Sequence, residues 1–169
     1  MVRAVRPDIG AGGLVSAIEV IERGGILLQR PCASFEDAVG ALVDLLIENG
    51  SVASALRDRA VRAVCDREEM ASTAIVEIGV SVPHARLDGV AGVVAALAAT
   101  PSALYYAMTG VPISIMVLVF SAPDLVGEHL DTLAGVSLLL QSAAVRRGLQ
   151  HAGDSAAAAR ILRGSNGGA

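Results

Sequence analysis

The chain has 169 residues, 53% of them hydrophobic and only 2% aromatic, with no tryptophan and a formal net charge of −4. That length fits one domain around an aliphatic core, and the negative balance gives no basic stripe for nucleic acid to bind. All 13 basic residues are arginine, and Cys32 and Cys65 stand outside any Cys-x-x-Cys spacing. This argues against a disulfide or zinc knuckle and fits a reducing, cytoplasmic setting.

In chain order, residues 1–13 are glycine-rich and are expected to form a flexible N-terminus. Arg3, Arg6 and the small residues ending at Ala17 faintly echo a signal peptide, but Asp8 and the glycines spoil the apolar segment such a signal needs. Leu14, Ile18 and Ile21 recur at helical spacing, which predicts a helix over 14–23 stopped by Gly24-Gly25. A short strand over 26–29 follows, closed by Pro31. Ser34, with Asp37 three positions on, reads as the N-cap of the next helix. Phe35, Val39, Leu42, Leu45 and Leu46 form its inner face, Glu36, Asp37, Gly40, Asp44 and Glu48 its wet face, and Asn49-Gly50 its end. Residues 52–66 read as a second helix, with Leu56, Ala60 and Val64 inward and Arg57, Asp58, Arg59 and Arg62 outward.

The central stretch, 65–86, passes from a charged helix end (Asp66, Arg67, Glu68, Glu69) through a polar step, Ser72-Thr73, into an apolar alternating run. Pro83 forces Val82 to be extended, so Val82 is expected to finish a strand and His84 to begin a turn. Beyond it, 92–99 reads as a small-residue strand. Residues 101–110 read as a loop in which Tyr105 and Tyr106 cover the edge of the core, and 113–120 as a central strand apolar on both faces. No charge falls between Asp88 and Asp124, yet Pro101, Gly110 and Pro112 cut this region into pieces short of the ~20 residues a spanning helix needs. Buried strands explain it, and no membrane insertion is expected. Residues 125–141 read as a helix with Leu130, Leu133, Val136 and Leu140 inward. Two shorter helices, 143–151 and 155–162, precede a tail at 164–169. The order predicts a single α/β domain over 14–163, a mixed β-sheet sandwiched between α-helices.

Neither a P-loop, a G-x-G-x-x-G nor a G-x-S-x-G motif is present, so the common nucleotide and hydrolase signatures are missing. What remains is His84, His129 and their charged neighbours. Imidazole is a good nucleophile and is largely neutral near pH 7, and a phosphorylated imidazole is labile enough to pass its phosphoryl group onward. Such a site needs a group that sets the tautomer and donors that neutralise phosphate oxygens. The planar forks of Arg67 and Arg86 could supply the donors. Bland readings stand beside these. Arg67 could neutralise its own helix C-terminus, Arg86 could be a surface residue beside the site, and His129 could cap or pack its helix. His151 reads as a dipole partner in a last helical turn, Ser72-Thr73 as structural, and Cys32 as a plain thiol.

Asp66-Arg67-Glu68, Ser72-Thr73 and Val82-Pro83-His84, in that order, resemble the type-2 enzyme IIA proteins of the phosphotransferase system, the fructose/mannitol and nitrogen-regulatory kinds. The strand ending at Phe120, the exit at Pro123 and Glu128-His129-Leu130 extend the likeness to roughly 14–162. The resemblance implies a cytoplasmic phosphoryl carrier needing no metal or organic cofactor. His84 would accept a phosphoryl group from the phosphocarrier protein HPr or its nitrogen-branch counterpart. It would pass the group to a cysteine of enzyme IIB, or use it to regulate a partner protein. His129 would be the second site histidine and Arg67 the phosphate-facing arginine. The family's Gly-x-Gly approach to the histidine is altered here: 76–81 reads Val-Glu-Ile-Gly-Val-Ser, one residue longer and without the first glycine. A bulge at Gly79 could absorb the extra residue. Two other readings are a regulatory binding module of the same fold without phosphoryl transfer, and a metal site from His84, His129 and a carboxylate. The metal reading has few ligands to draw on.

Overall fold

The computed structural model of the chain describes residues 11–167. Its elements are α1 (Ala11–Gly24), β1 (Ile26–Leu28), α2 (Phe35–Glu48), α3 (Arg57–Met70), β2 (Ala74–Ile75), β3 (Val80–Ser81), β4 (His84–Arg86), β5 (Val93–Ala99), β6 (Tyr105–Tyr106), β7 (Pro112–Ile113), β8 (Ile115–Ser121), α4 (Val126–Gln141), α5 (Ala143–His151) and α6 (Ser155–Gly164). The main sheet runs β1-β5-β8-β3-β2, with β4 also paired to β8. It is mixed: β1 is parallel to β5, β5 antiparallel to β8, and β3 and β4 parallel to β8. Helices cover both faces. One core packs Ile18 and Ile21 of α1, Val136 and Leu140 of α4, and Leu149 and Leu162 of α5 and α6 against Leu97, Val117 and Val119. The other packs Leu42 and Leu46 of α2 and Val64 of α3 against Met116, Leu118 and Phe120. The expected α/β architecture, a mixed sheet between helix layers in one domain, is the observed one.

All seven residues of β8 are buried, because it lies inside the sheet and both faces are covered. Ser34 caps α2 as expected, its hydroxyl accepting from the Asp37 amide at 3.1 Å. Gly40, expected on the wet face of α2, is buried, and Phe35 and Leu45 are only partly so. The expected helix over 52–66 begins instead with a 3-10 turn (Ser54–Leu56) and α3 continues to Met70.

Three further corrections concern the chain ends and the loops. Of the N-terminal stretch expected to be flexible, residues 1–10 lie outside the described residues, but α1 already starts at Ala11. A Cβ on Gly135 of α4 would strike the carbonyl of Gly13, so the two helices meet backbone to backbone and the glycines belong to a packed contact. At the other end α6 runs to Gly164 and a 3-10 turn occupies Ser165–Gly167. Residues 101–110, expected to be loop, include β6, which pairs antiparallel with β7. Tyr105 packs edge-on against Phe35 inside the core while Tyr106 is exposed, since neighbouring strand residues point to opposite faces.

The central stretch departs most. It is a hairpin followed by a third short strand. β2 and β3 pair antiparallel, Ala74 with Ser81 and Ile75 with Val80, around a turn formed by residues 76–79. Gly79 takes φ +65° at the end of that turn, a left-handed conformation glycine adopts freely. Residues 76–78, expected to run on as strand, are therefore turn, and Glu77 is exposed there. Val82-Pro83 breaks the ladder without ending the strand. Val80 pairs with Ile115, Ser81 with Met116, His84 with Val119 and Arg86 with Ser121, one continuous register. Pro83 removes a donor, but its carbonyl still accepts from Val119 N at 3.0 Å. His84 therefore opens β4, not a turn.

Candidate active site

The continuous register decides which way each side chain of 80–86 points. Val80 and Val82 belong to the core beneath α1 and α4, and strand alternation puts His84 and Arg86 on the same face. On β8, Val117 and Val119 line that face, and Ser121 continues it. Residues 122–125 then turn the chain into α4, with Leu125 N donating to Ala122 O at 3.1 Å, so the first turn of α4 comes back over the strand end. His129 is carried with it. Its Nδ1 lies 2.6 Å from Ser121 Oγ, and both residues are buried.

The two imidazoles meet at this corner. Their ring centroids are 5.5 Å apart and their planes cross at 61°. His84 is partly exposed, and its Nδ1 lies 2.9 Å from the Val82 carbonyl. A carbonyl can only accept, so Nδ1 carries the proton and Nε2 of neutral His84 holds a free lone pair. Burial holds the pKa of His129 below the usual histidine value, and the charge of His84 when it is protonated and that of Arg86 push it the same way. His129 is thus a neutral imidazole beside a second imidazole with a bare nitrogen. In chemical terms the corner offers one nucleophile, one imidazole able to present a proton, and one exposed guanidinium, Arg86.

His84 and His129, both singled out from the sequence, are brought together. Arg67 is on α3, the helix packed along β4, and its Nη1 donates to the Ala71 carbonyl at 3.2 Å in the last turn. Ser72 and Thr73 are held by Glu68: Ser72 Oγ and Thr73 N donate to Oε1 at 2.8 and 2.9 Å, and Thr73 Oγ1 donates to Oε2 at 2.7 Å. Their role here is to end α3 and start β2. His151 bonds the Arg147 carbonyl at 2.9 Å within its own last turn. Arg86, read from the sequence as a possible phosphate donor or a surface residue beside the site, is exposed on the histidine face of β4. One residue of the corner, Ser121, carries no role in the sequence. Ser121 reads as part of the exit from the sheet, and only its place at the end of the 117–119–121 alternation could have marked it. The expected inner face of α4 is also rotated. Leu130 is exposed, and the buried stripe is His129, Thr132, Val136, Leu139 and Leu140, because Ser121 gives the imidazole a partner inside.

Among the described residues no group of three or more histidine, cysteine or acidic side chains could hold a metal ion, so the histidine pair has no third ligand beside it. No helix among them is long and apolar enough to cross a membrane.

Comparison with known proteins places the chain. Residues 19–165 match the family model described as phosphoenolpyruvate-dependent sugar phosphotransferase system, EIIA 2. The PTS system fructose-specific EIIA component of Haloferax volcanii is 33% identical over 129 residues, covering 75% of this chain and 81% of that protein. Among solved structures, the nitrogen regulatory protein IIA-Ntr from Neisseria meningitidis superposes with a TM-score of 0.71 at 23% identity, covering 86% of this chain and 97% of that one. Enzyme IIA-mannitol from Escherichia coli, solved in complex with phosphorylated enzyme IIB-mannitol, gives 0.65 at 20% identity, covering 83% and 95%. These two likenesses establish the shared fold. With the family model matched over most of its length, the chain belongs to the type-2 EIIA family of the phosphoenolpyruvate-dependent sugar phosphotransferase system.

Proposed function

We propose that the chain is a cytoplasmic phosphoryl carrier and that the group rides on Nε2 of His84. The observation that carries this reading is the 2.9 Å bond from His84 Nδ1 to the Val82 carbonyl. It aims a bare nitrogen outward from a rigid strand and keeps the same proton in place once the other nitrogen is phosphorylated. The donor is the phosphohistidine of HPr or of its nitrogen-branch counterpart. The lone pair of His84 Nε2 attacks phosphorus and the donor's N–P bond breaks. The electron pair of that bond stays on the departing imidazole. In the second half, a cysteine thiolate of enzyme IIB attacks phosphorus as the His84 Nε2–P bond breaks and its electron pair returns to Nε2, or a regulated partner reads the group's presence. A IIA–IIB complex in the family supports that acceptor.

Phosphoryl oxygens need positive partners. Arg86 stands on the histidine face of β4 and is exposed to meet them. We assign Arg67 the second guanidinium, reaching the group after letting go of the Ala71 carbonyl. His129 is the neutral partner that faces the group from α4.

The test is incubation with phosphoenolpyruvate, enzyme I and HPr, followed by intact mass at neutral and acid pH. The expected result is one added phosphoryl group that is lost in acid and absent from both His84→Ala and His84→Gln. A wild-type protein that stays unmodified, while a competent IIA control is labelled alongside, would overturn the reading. It would leave the protein as a binding module of this fold.

A further inference from the structure

We propose that Ser121 is the positioning residue of the histidine pair: its hydroxyl donates to His129 Nδ1 and so fixes the His129 proton on Nε2, where it faces the phosphoryl group. The inference rests on the carrier reading above for its purpose, but not for its geometry.

Ser121 is wholly buried, and His129 Nδ1 at 2.6 Å is its side chain's one hydrogen-bond partner among the described residues. Two arrangements fit that distance. If Nδ1–H donated to the hydroxyl oxygen, the hydroxyl proton would be left inside the core with no acceptor. If the hydroxyl donates to Nδ1, only an oxygen lone pair is left idle. A buried donor without an acceptor is the rarer and more costly fault, so the second arrangement holds. It requires a neutral imidazole, and burial together with the nearby His84 and Arg86 keeps His129 in that form.

The two histidines are then opposite tautomers, each set by one bond. The Val82 carbonyl can only accept, which puts the His84 proton on Nδ1 and bares Nε2. The Ser121 hydroxyl bares Nδ1 of His129 and leaves Nε2–H as the donor that imidazole can offer. With the rings 5.5 Å apart and crossing at 61°, one imidazole supplies the lone pair that forms the new N–P bond. The other supplies a proton-bearing nitrogen to the oxygens, while the donor's N–P bond breaks and its electron pair leaves with the donor. The hydrogen bond of Ser121 is to His129, and it acts through that ring.

Long-range nitrogen–proton correlation spectra of the unphosphorylated full chain read each imidazole's tautomer directly. In the wild type the expected His129 signal is Nε2–H with a bare Nδ1. In Ser121→Ala it becomes a mixture of tautomers, and in Ser121→Thr, which keeps a hydroxyl, it returns to the wild-type pattern. Phosphoryl uptake by His84 is expected to fall about 10- to 100-fold in Ser121→Ala, the range for removing the group that orients a functional histidine, and to recover in Ser121→Thr. A wild-type His129 protonated on Nδ1, or a Ser121→Ala protein that keeps the wild-type tautomer, overturns the role of Ser121 even if His84 is phosphorylated. A wild type with the Nε2–H tautomer that takes up no phosphoryl group instead overturns the carrier reading, and with it the use of that proton.

Discussion

Ser81 and Ser121 are both wholly buried in one sheet, on opposite faces and with opposite fates. Ser121 sits at the end of β8 beneath α4, and its hydroxyl is bonded to His129. Ser81 sits on β3 beside Met116, on the face covered by α2 and α3, and its hydroxyl has no hydrogen-bond partner among the described residues. The Tyr105 phenol lies near it: burial pushes that phenol's pKa up, and the neighbouring Ser81 hydroxyl draws it part of the way back. The same small polar side chain thus orders an imidazole at one end of the sheet and is a liability at the other. What differs is the element above. α4 returns at once over its own strand and brings a nitrogen down, whereas the residues over Ser81 offer it no bonded partner.

The largest expected effect comes from making the Ser121 region resemble the Ser81 region. His129→Leu orphans the Ser121 hydroxyl and replaces a hydrogen-bonded ring with a side chain of different shape. It should destabilise the fold by about 3 kcal/mol in denaturant unfolding. Adding Ser121→Ala to that variant should return about 1 kcal/mol, and simple additivity of the two changes would show that no coupling exists. Next in size, Glu68→Ala releases Ser72 and Thr73 from the end of α3 and should cost about 2 kcal/mol, measured the same way. Ser81→Ala should act with the opposite sign, stabilising by about 1 kcal/mol because it removes a buried hydroxyl that has no hydrogen-bond partner among the described residues. A loss of stability there would mean that Tyr105 or a buried water satisfies Ser81 in solution.

The smallest effect is in pH. The folded His129 refuses a proton that the unfolded chain accepts near the ordinary histidine pKa of about 6.5. Between that value and the depressed one, the unfolded state binds more protons, so stability should fall as pH is lowered through this window. Above it the contribution is flat. Thermal melts of His129→Gln should lose this part of the acid sensitivity while those of His84→Gln keep most of it.

How much of this was legible beforehand follows the range of the interactions. α2 could be read because Ser34, its inner leucines and Asn49-Gly50 are local signals, and β8 because a run apolar on both faces belongs inside a sheet. The histidine was legible from its neighbours, Val82-Pro83 before it and the charged helix end ahead of that. The hairpin was not, because Val76, Glu77 and Ile78 continue the alternation of a strand, and Gly79 alone marks the turn. Arg86 was legible as an exposed arginine beside the site; what Pro83 concealed is its strand, since the proline removes one rung and keeps the register. Ser121 and the true face of α4 were hidden for a deeper reason. Hydrophobicity favours Leu130 as the buried residue, and only the tertiary return of α4 shows that an imidazole with a hydroxyl partner displaces it.

In the proposed function, the Val82 carbonyl holds His84 by Nδ1 and so reserves Nε2 for phosphorus. Nitrogen-15 labelling of the histidines, with phosphorus–nitrogen coupling read after phosphorylation by the HPr route, tests it directly. The expected result is phosphorus coupled to Nε2 of His84 and a proton still on Nδ1. Phosphorus on Nδ1 of His84, or on either nitrogen of His129, would contradict it.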